Sequence, residues 1–232
     1  MMQSSLSDNI CIYYCRYDQP LEGGAYHNLL AQLPSEMQAR ASAFRRWEDA
    51  HGYILGKLMV RSLLQEKGYR GDLSRIRYSP EERPYFEDGP DFNVSHSGTV
   101  VACIVGPSDR SRVGIDIEEM KAIDIDDFRG QFTVREWDMI RRDGDPLQMF
   151  YRLWTAKEAL IKADGRGLQI PLSEVAVGDG GEGTAKIGEK NWFISPYEIT
   201  AGFICHVAGE REIGNVGVGV LEPEAFLRNI PT

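Results

Sequence analysis

Short β-rich segments and long amphipathic segments alternate along this chain. The apolar run at 10–14 predicts a first strand. Between 45 and 67, apolar residues recur at three- and four-residue spacings, which predicts a long helix that ends at Gly68. The pattern also predicts a turn at 23–24, a helical region that opens at Pro34, and strands at 75–79, 91–95, 99–105 and 112–118.

The second half of the chain shows the same kinds of signal. Thr133 and Glu136 have the spacing of a capping box, which predicts the start of a helix. Asp145 and Pro146 supply an N-cap and a first-turn proline for the next helix, which should continue to about residue 163. Strands are then predicted at 174–177, 192–194, 202–207 and 216–220, with a glycine-rich hairpin loop at 178–183.

The two halves resemble each other. DLSRIRYS follows the first long helix and PLSEVAVG follows the second, and NVSHSGTVVACIVG later parallels YEITAGFICHVAG. We therefore expect an α+β fold with a pseudo-two-fold arrangement of two similar halves, each a small, mainly antiparallel sheet covered by a long helix. The polar, turn-rich segment at 107–111 predicts the boundary between an N-terminal half, 1–109, and a C-terminal half, 110–232.

The composition and net charge of the chain argue against several classes of protein. The 232 residues are 42% hydrophobic and carry a net charge of −9, which argues against a general nucleic-acid binder. An anionic ligand therefore needs a local basic cluster. No apolar run approaches the roughly 18 residues of a membrane span, and the first residues lack a leader pattern. The four cysteines form no CxxC pair, which predicts free thiols and a cytoplasmic protein.

A pair of carboxylates lies in the segment RVGIDIEEM. In a strand, Asp116 and Glu118 point to one face while Ile115 and Ile117 point to the other. Two adjacent carboxylates repel each other unless a cation lies between them, and Mg²⁺ is a suitable cation. A solvated strand end with two acidic residues is the open alternative.

The helix FYRLWTAKEALIKADG carries a second candidate cluster. Lys157 falls inside the apolar arc, where patterning alone would not place a charge, so we expect it to meet an anion. Glu158 and Lys162 lie one turn apart at the edge of this arc. Two lysines beside a carboxylate suit a metal-bound phosphate. The alternative is a surface ion pair worth ~0.2–0.5 kcal/mol, with Lys157 extending past its apolar neighbours.

The segment FNVSHSG combines turn amides with a hydroxyl group and an imidazole. Ser95 and His96 lie at a strand-to-turn junction before Gly98, where such groups can bind a phosphate. A hydrogen-bonded turn without a ligand is the alternative. Arg40, Arg45 and Arg83 are further candidates for binding phosphate, against the alternative that they are simply solvated.

The sequence resembles the 4′-phosphopantetheinyl transferases of the Sfp type in three motifs, which occur in the order FNVSHSG, VGIDIEEM and LWTAKEALIKADGRGL. The resemblance extends upstream to WEDAHGYILGKLMVR and RPYF. It covers roughly residues 40–172 and implies a pseudo-dimer of two α+β halves in one chain. The implied reaction moves phosphopantetheine from coenzyme A to a serine of an apo acyl or peptidyl carrier protein, requires Mg²⁺ and releases 3′,5′-ADP. We expect a monomer with internal pseudo-symmetry that needs neither nucleic acid nor a membrane.

The resemblance also implies site residues. Asp116, Glu118 and Glu158 would bind Mg²⁺, and Glu158 would also be the general base for the carrier serine. Lys162 would bind the phosphates and stabilise charge on the departing group, which gives Glu158, Lys162 and Asp116 as the catalytic set. The residues expected to bind coenzyme A are Arg40, Arg45, Arg83, Asn93, Ser95, His96, Lys157 and Lys162.

Two positions depart from the pattern of the resemblance. Some relatives have an arginine where this chain has Gly52, and a basic residue where it has Met37. In those relatives, the resemblance implies that the basic residues at both positions bind the 3′-phosphate of coenzyme A. The N-terminal half is accordingly expected to bind the nucleotide end, and the C-terminal half to hold the metal and the catalytic residues.

Two other functions would use the same residues. A Mg²⁺-dependent phosphohydrolase acting on a nucleotide or coenzyme A would need the carboxylates but no carrier protein. A non-catalytic module would bind coenzyme A or a carrier without turning it over. For the transferase, the segment 123–137 is a candidate carrier-docking surface, because aromatic residues such as Phe132 accompany Arg129 and Arg135 there.

Overall fold

The computed structural model describes residues 9–214, 216 and 218–227. Residues 1–8, for which the sequence predicts no leader, lie outside this part of the chain. Backbone contacts divide the protein into two compact units. The first unit comprises Met1–Arg77, Pro84–Arg110 and Val216–Thr232, and the second comprises Tyr78–Arg83 and Ser111–Asn215.

The described residues form strands and helices in an alternating order. The α-helices are α1 (Gly23–Leu30), α2 (Ser35–Ser42), α3 (Trp47–Glu66), α4 (Val134–Arg142) and α5 (Pro146–Asp164). The strands are β1 (Cys11–Arg16), β2 (Arg77–Tyr78), β3 (Pro84–Tyr85), β4 (Phe92–Ser97), β5 (Val100–Val105), β6 (Val113–Glu119), β7 (Gly183–Ile187), β8 (Lys190–Pro196), β9 (Phe203–Gly209) and β10 (Val218–Val220). Strands β2 and β3 pair with each other as a short ribbon.

The first unit is a four-stranded sheet covered by α3. The strand order is β10-β1-β5-β4, in which β1 and β4 are antiparallel to β5 and β10 is parallel to β1. Leu55, Leu58 and Leu63 of α3 are fully buried in the core of this unit. Gly56 lets α3 approach the sheet, because a Cβ there would lie 2.8 Å from Val94.

The second unit repeats this plan with different strands. Its sheet has the order β6-β9-β8-β7, all antiparallel, and α5 packs against β6 and β9. Gly114 of β6 touches the backbone of α5, since a Cβ at this position would overlap the carbonyl of Ala159 and lie 2.5 Å from the amide nitrogen of Ala163. The α+β fold class, with one long helix on each small sheet, is confirmed.

The predicted helix signals are confirmed in detail. Helix α3 ends at Glu66, and Gly68 follows with a φ of 83°. Thr133 caps α4 through both hydrogen bonds of a capping box with Glu136. Asp145 caps α5, Pro146 occupies its first turn, and a left-handed glycine follows its last residue.

Three local predictions are wrong. The segment 174–177 is not a strand, because the amide of Val177 donates to the carboxylate of Glu136 at 3.1 Å. The glycine-rich segment 178–183 is not a hairpin loop: its glycines form a 3₁₀ turn before β7, a strand that sequence patterning missed. Gly23 begins α1 instead of a turn. The strand predicted at 216–220 corresponds to β10, while residue 217 lies outside the described residues.

The two units differ from the predicted halves in two segments. Strand β10 groups with the first unit because it pairs with β1, with Ile12 opposite Val218. The segment Tyr78–Arg83 groups with the second unit. The assignment of nucleotide binding to one half and catalysis to the other stays a prediction.

The described cysteines are free thiols. Cys15, Cys103 and Cys205 are buried, and Cys11 is half-buried at the start of β1. Burial raises the pKa of the Cys15 thiol to about 12, and it also raises the pKa of the thiols of Cys103 and Cys205. Among the described helices, none is both long and apolar enough to cross a membrane.

Candidate active site

Strand β6 presents two carboxylates on one face. Asp116 is 3% exposed and Glu118 is half-buried, whereas Ile115 and Ile117 are fully buried. Because side chains alternate along a strand, Asp116 and Glu118 project to the side opposite the two isoleucines. Asp116 lies directly across from His206 of β9.

Helix α5 adds a carboxylate and an ammonium group to this face. Lys162 Nζ donates to Asp116 Oδ1 at 2.6 Å. The lysine side chain is 29% exposed, whereas that of its partner is 4% exposed. Glu158, one turn earlier on α5, is half-buried. The ion pair therefore has one side in the protein and one side open to solvent.

The pKa shifts show that four charged groups act on one another. Burial, followed by the negative charge of Asp116, raises the pKa of Glu158, and Lys162 partly opposes this shift. Burial lowers the pKa of Lys162, but Asp116, Glu158 and Glu118 together outweigh it, so the pKa of Lys162 is raised. The carboxylates of Asp116 and Glu118 on β6 and of Glu158 on α5 thus all act on one ammonium group.

The three carboxylates do not by themselves form a complete metal cage. Within the described part of the chain, no group of three or more His, Cys, Asp or Glu side chains is arranged to hold a metal ion. Mg²⁺ is usually bound by one or two carboxylates together with waters and substrate phosphates. The hard oxygen donors of Asp116, Glu118 and Glu158 fit such a shared shell.

The charged group of Lys157 is bound within the protein. Its side chain is fully buried, and Nζ lies 2.7 Å from Glu136 Oε2. It also donates to the carbonyl oxygens of Leu172 at 2.8 Å and Gln131 at 3.2 Å, and it lies 5.2 Å from the centre of the Phe132 ring. The lysine does meet an anion, but that anion is Glu136 of this chain, and the predicted phosphate contact stays a prediction.

Sequence analysis missed the importance of Glu136. This carboxylate is 2% exposed and accepts hydrogen bonds from both the amide and the hydroxyl group of Thr133. The capping box was visible in the sequence, but the buried partner on α5 was not. No local pattern links residue 136 to residue 157, because the two meet only when α4 packs on α5.

Arg83 is also engaged within the protein. It is 7% exposed, and its guanidinium group donates to the carbonyl oxygen of Lys162 and, at 2.9 Å, to that of Val113. These carbonyls belong to the last turn of α5 and the first residue of β6. Arg83 thus holds helix and strand together, and its predicted nucleotide contact stays a prediction.

Strand β4 separates the three residues predicted from FNVSHSG. Asn93 and Ser95 are buried and point to one face, whereas His96 is exposed and points to the other. The imidazole lies against α3, where a Cβ at Gly52 would be 3.0 Å from His96 Cγ and 2.7 Å from Tyr17 Oη. A Cβ at position 52 would therefore require Tyr17 or His96 to shift.

The two predicted arginines of the first unit lie in different surroundings. The guanidinium group of Arg40, on α2, lies 5.6 Å from the centre of the Tyr53 ring. Arg45 lies in the loop before α3 and lines a cavity of about 390 Å³ together with Trp47 and His51. Both arginines are exposed, so both are accessible to an anion.

His206 is a second buried group that sequence analysis missed. It is fully buried, and Nδ1 lies 2.7 Å from the Thr155 hydroxyl, which donates to the carbonyl oxygen of Tyr151. Nε2 has no hydrogen-bond partner in the described part of the protein. Burial, followed by the charge of Arg152, lowers the pKa of His206 to about 3.

The buried pair of Lys157 and Glu136 should be sensitive to the loss of one partner. Glu136→Gln leaves a buried ammonium without its counter-charge, so we expect the free energy of unfolding to fall by about 3 kcal/mol. Adding Lys157→Met should restore part of this loss. Chemical denaturation measures both, with Lys190→Met, which breaks an exposed pair with Glu210, as a control that costs less than about 1 kcal/mol. A loss as small as that of the control would contradict the assignment.

His206 should make the metal-free protein sensitive to acid. Between about pH 6.5 and pH 3, unfolding lets this imidazole bind a proton that the folded protein excludes, so stability falls as the pH falls. Per pH unit, wild type should lose about 1.4 kcal/mol more than His206→Gln in this window. Denaturation at a series of pH values measures the two slopes, and parallel slopes would contradict the predicted proton uptake.

Comparison with known proteins identifies the family of this chain. The profile of the 4′-phosphopantetheinyl transferase superfamily matches residues 112–208, which include β6, α5 and β9. The chain is 34% identical over 202 residues to 4′-phosphopantetheinyl transferase Sfp of Bacillus subtilis (strain 168), covering 83% of this chain and 88% of the relative. It is 32% identical over 226 residues to the Bacillus subtilis transferase ffp, covering 93% and 99% of the two chains.

A more distant relative shows the same family. The 4′-phosphopantetheinyl transferase HetI of Nostoc sp. is 31% identical over 184 residues, which cover 74% of this chain and 75% of the relative. The similarity to ffp covers 93% of this chain and therefore extends well beyond the motifs that suggested it. The chain therefore belongs to the 4′-phosphopantetheinyl transferase superfamily and is an Sfp-type member of it.

Proposed function

We infer that this chain transfers 4′-phosphopantetheine from coenzyme A to a serine of an apo carrier protein, in a Mg²⁺-dependent reaction that releases 3′,5′-ADP. Family membership supports the transfer activity. One observation carries the assignment of the site: the 2.6 Å contact between Lys162 and Asp116, with Glu158 and Glu118 acting on the same ammonium group.

The charge of the substrate explains why a metal belongs in this site. The diphosphate of coenzyme A is anionic, and three carboxylates repel it unless a cation is shared between them. Mg²⁺ held by Asp116, Glu118 and Glu158 would supply that positive charge. The role of β6 is to fix two of these oxygen ligands on one face of the sheet.

Lys162 stabilises the departing group. Its ammonium group is anchored to Asp116, but 29% of the side chain stays exposed, so it can also donate to phosphoryl oxygens. The neighbouring carboxylates raise its pKa and keep it charged. A fixed positive charge of this kind is worth most where negative charge develops on the 3′,5′-ADP as the bond breaks.

Glu158 accepts the proton of the carrier serine, directly or through a water molecule. A general base is most effective when its pKa lies near the working pH. Burial and the adjacent Asp116 raise the pKa of Glu158 above the ordinary value for a glutamate, which makes it a stronger base than a solvated carboxylate. Lys162 limits this shift, so the carboxylate is not held in its neutral form.

The nucleotide end of coenzyme A is assigned to the first unit. Arg40, Arg45, Asn93, Ser95 and His96 stay the candidates for this role. Arg83 and Lys157 also stay candidates, with charged groups that are already bound by carbonyl oxygens and by Glu136 within the protein.

The carrier protein is proposed to dock on the exposed apolar residues around α4. Phe132 is 3% exposed and lies in the core with Phe150, so it is not available as predicted. Val134, by contrast, is 69% exposed and Ile123 is 38% exposed. In the sequence, Arg129 lies between them and Arg135 follows Val134, and the charge of these arginines suits an acidic partner. We further propose that the enzyme acts as a cytoplasmic monomer, consistent with its free thiols.

Mass spectrometry of apo carrier proteins tests the reaction. Incubation with this protein, coenzyme A and Mg²⁺ should add one phosphopantetheine to the carrier. Glu158→Gln should lower kcat at least 100-fold with little change in the KM for coenzyme A, because the base is lost while the phosphate contacts stay. Glu174→Gln, an exposed acid in the same unit, is the matched control and should retain wild-type turnover.

The same assay separates the two other functions. A phosphohydrolase would release 3′,5′-ADP from coenzyme A at full rate without any carrier. A non-catalytic module would bind coenzyme A but yield no modified carrier and no 3′,5′-ADP. Either result would reject the proposed transfer.

Val134→Glu tests the docking surface. A carboxylate at this position should raise the KM for the carrier about fivefold, through lost apolar contact and repulsion, and leave the KM for coenzyme A unchanged. Val220→Glu is the matched control, because Val220 is also exposed but lies on β10 in the first unit. Equal effects of the two substitutions on the carrier KM would argue against docking at α4.

A further inference from the structure

One tyrosine of α5 holds the chain at the point where β6 ends. The hydroxyl group of Tyr151 accepts a hydrogen bond from the backbone amide of Lys121 at 3.1 Å and donates one to the carbonyl oxygen of the same residue at 3.2 Å. Tyr151 is 6% exposed, and its ring packs edge-on against that of Phe150, with 5.3 Å between the ring centres. A single hydroxyl group therefore fixes both backbone groups of Lys121.

Tyr151 lies on the same face of α5 as the residues proposed for catalysis. At about 100° per residue, positions 151, 158 and 162 fall within about 40° of one another around the helix. Lys162 meets Asp116 within β6, and Tyr151 meets Lys121 just beyond the end of that strand. The helix face that carries Glu158 and Lys162 therefore contacts this part of the chain twice, at residue 116 and again at residue 121.

The segment that begins at Lys121 is open to solvent. Residues 121–124 have no regular secondary structure, and all four are exposed. The side chain of Lys121 is 53% exposed and forms an ion pair with Glu119 at 2.8 Å, and Ile123 is 38% exposed. An apolar side chain close to a cation suits an acidic partner that also offers an apolar contact.

The spacing along α5 brings this segment within reach of a partner bound at Glu158. Seven residues separate Tyr151 from Glu158, which corresponds to about 10 Å along a helix. A standard protein interface buries about 800 Å² on each partner, which is a patch roughly 30 Å across. A carrier protein whose serine reaches Glu158 is therefore large enough to contact residues 121–124 as well.

We propose that Tyr151 is a positioning residue for the carrier substrate: its hydroxyl group fixes Lys121, so that the exposed segment 121–124 holds the carrier with its serine at Glu158. Because Tyr151 is 6% exposed, it acts through the backbone of Lys121 and not by touching the carrier. This inference rests on the proposed transferase function and adds to it the residue that keeps part of the docking surface in place.

Tyr151→Phe tests this proposal, because it removes the hydroxyl group and keeps the ring. We expect the KM for the apo carrier to rise about fivefold, while kcat and the KM for coenzyme A change less than twofold. Transfer assays in which each substrate is varied separately measure these constants. A purely structural role would lower the fraction of active enzyme, and hence kcat, without raising the KM for the carrier. That result, or an equal rise in both KM values, would overturn the proposal.

Tyr197→Phe is the matched control. The hydroxyl group of Tyr197 also donates to a backbone carbonyl oxygen of the second unit, that of Gly214 at 3.0 Å. Its loss should leave the KM for the carrier at the wild-type value. A rise equal to that of Tyr151→Phe would mean that losing any such hydroxyl group has this effect, and the specific role of Tyr151 would then be rejected.

A measurement on the wild-type protein covers the case in which Tyr151→Phe does not fold. Amide hydrogen exchange is followed with and without an apo carrier that has alanine in place of its acceptor serine, so that no transfer occurs. We expect the bound carrier to slow exchange in residues 121–124 at least threefold and to leave β7 unchanged. Unchanged exchange in residues 121–124 would contradict the proposal. The proposed transferase function is tested separately, by wild-type transfer from coenzyme A.

Discussion

The backbone contact between β6 and α5 holds the catalytic face together. Gly114 has no side chain, so the strand reaches the backbone of α5 at Ala159 and Ala163. Two residues later along β6, Asp116 meets Lys162 at 2.6 Å. A larger residue at position 114 would push the helix away from the strand, and the carboxylates would then no longer share one ammonium group. The chemistry therefore depends on a position that carries no functional group.

Two lysines on α5 illustrate how burial decides the role of a charge. Lys157 is fully buried and satisfied by Glu136 and two carbonyl oxygens, so it supports the fold. Lys162, five residues later, keeps 29% of its side chain exposed and is the lysine proposed to act in the reaction. Arg83 joins the first group because it binds carbonyls of α5 and β6. The ion pair of Lys157 with Glu136 and the carbonyl contacts of Arg83 stabilise the packing of the helices and strands. The partly exposed Lys162 is the cation proposed to bind the substrate.

Local signals in the sequence were sufficient for the catalytic elements. The capping box at Thr133, the cap at Asp145 and the alternation along β6 depend only on nearby residues, and the structure contains all three. The failures involve contacts that are distant in sequence. Val177 bonds to Glu136 instead of a sheet neighbour, and Arg83 bonds to a carbonyl 79 residues away. Glycines are typical of turns, so the sequence predicted a turn where α1 begins and a hairpin loop where β7 begins.

The chain order of the first sheet has a consequence for synthesis on the ribosome. Strand β10 pairs with β1, yet about 200 residues of chain separate them. The second unit, whose main segment ends before β10, is translated completely before this strand emerges. The nascent first sheet therefore leaves one edge of β1 without its partner until β10 emerges, and an exposed strand edge is a point where chaperones or other nascent chains can bind.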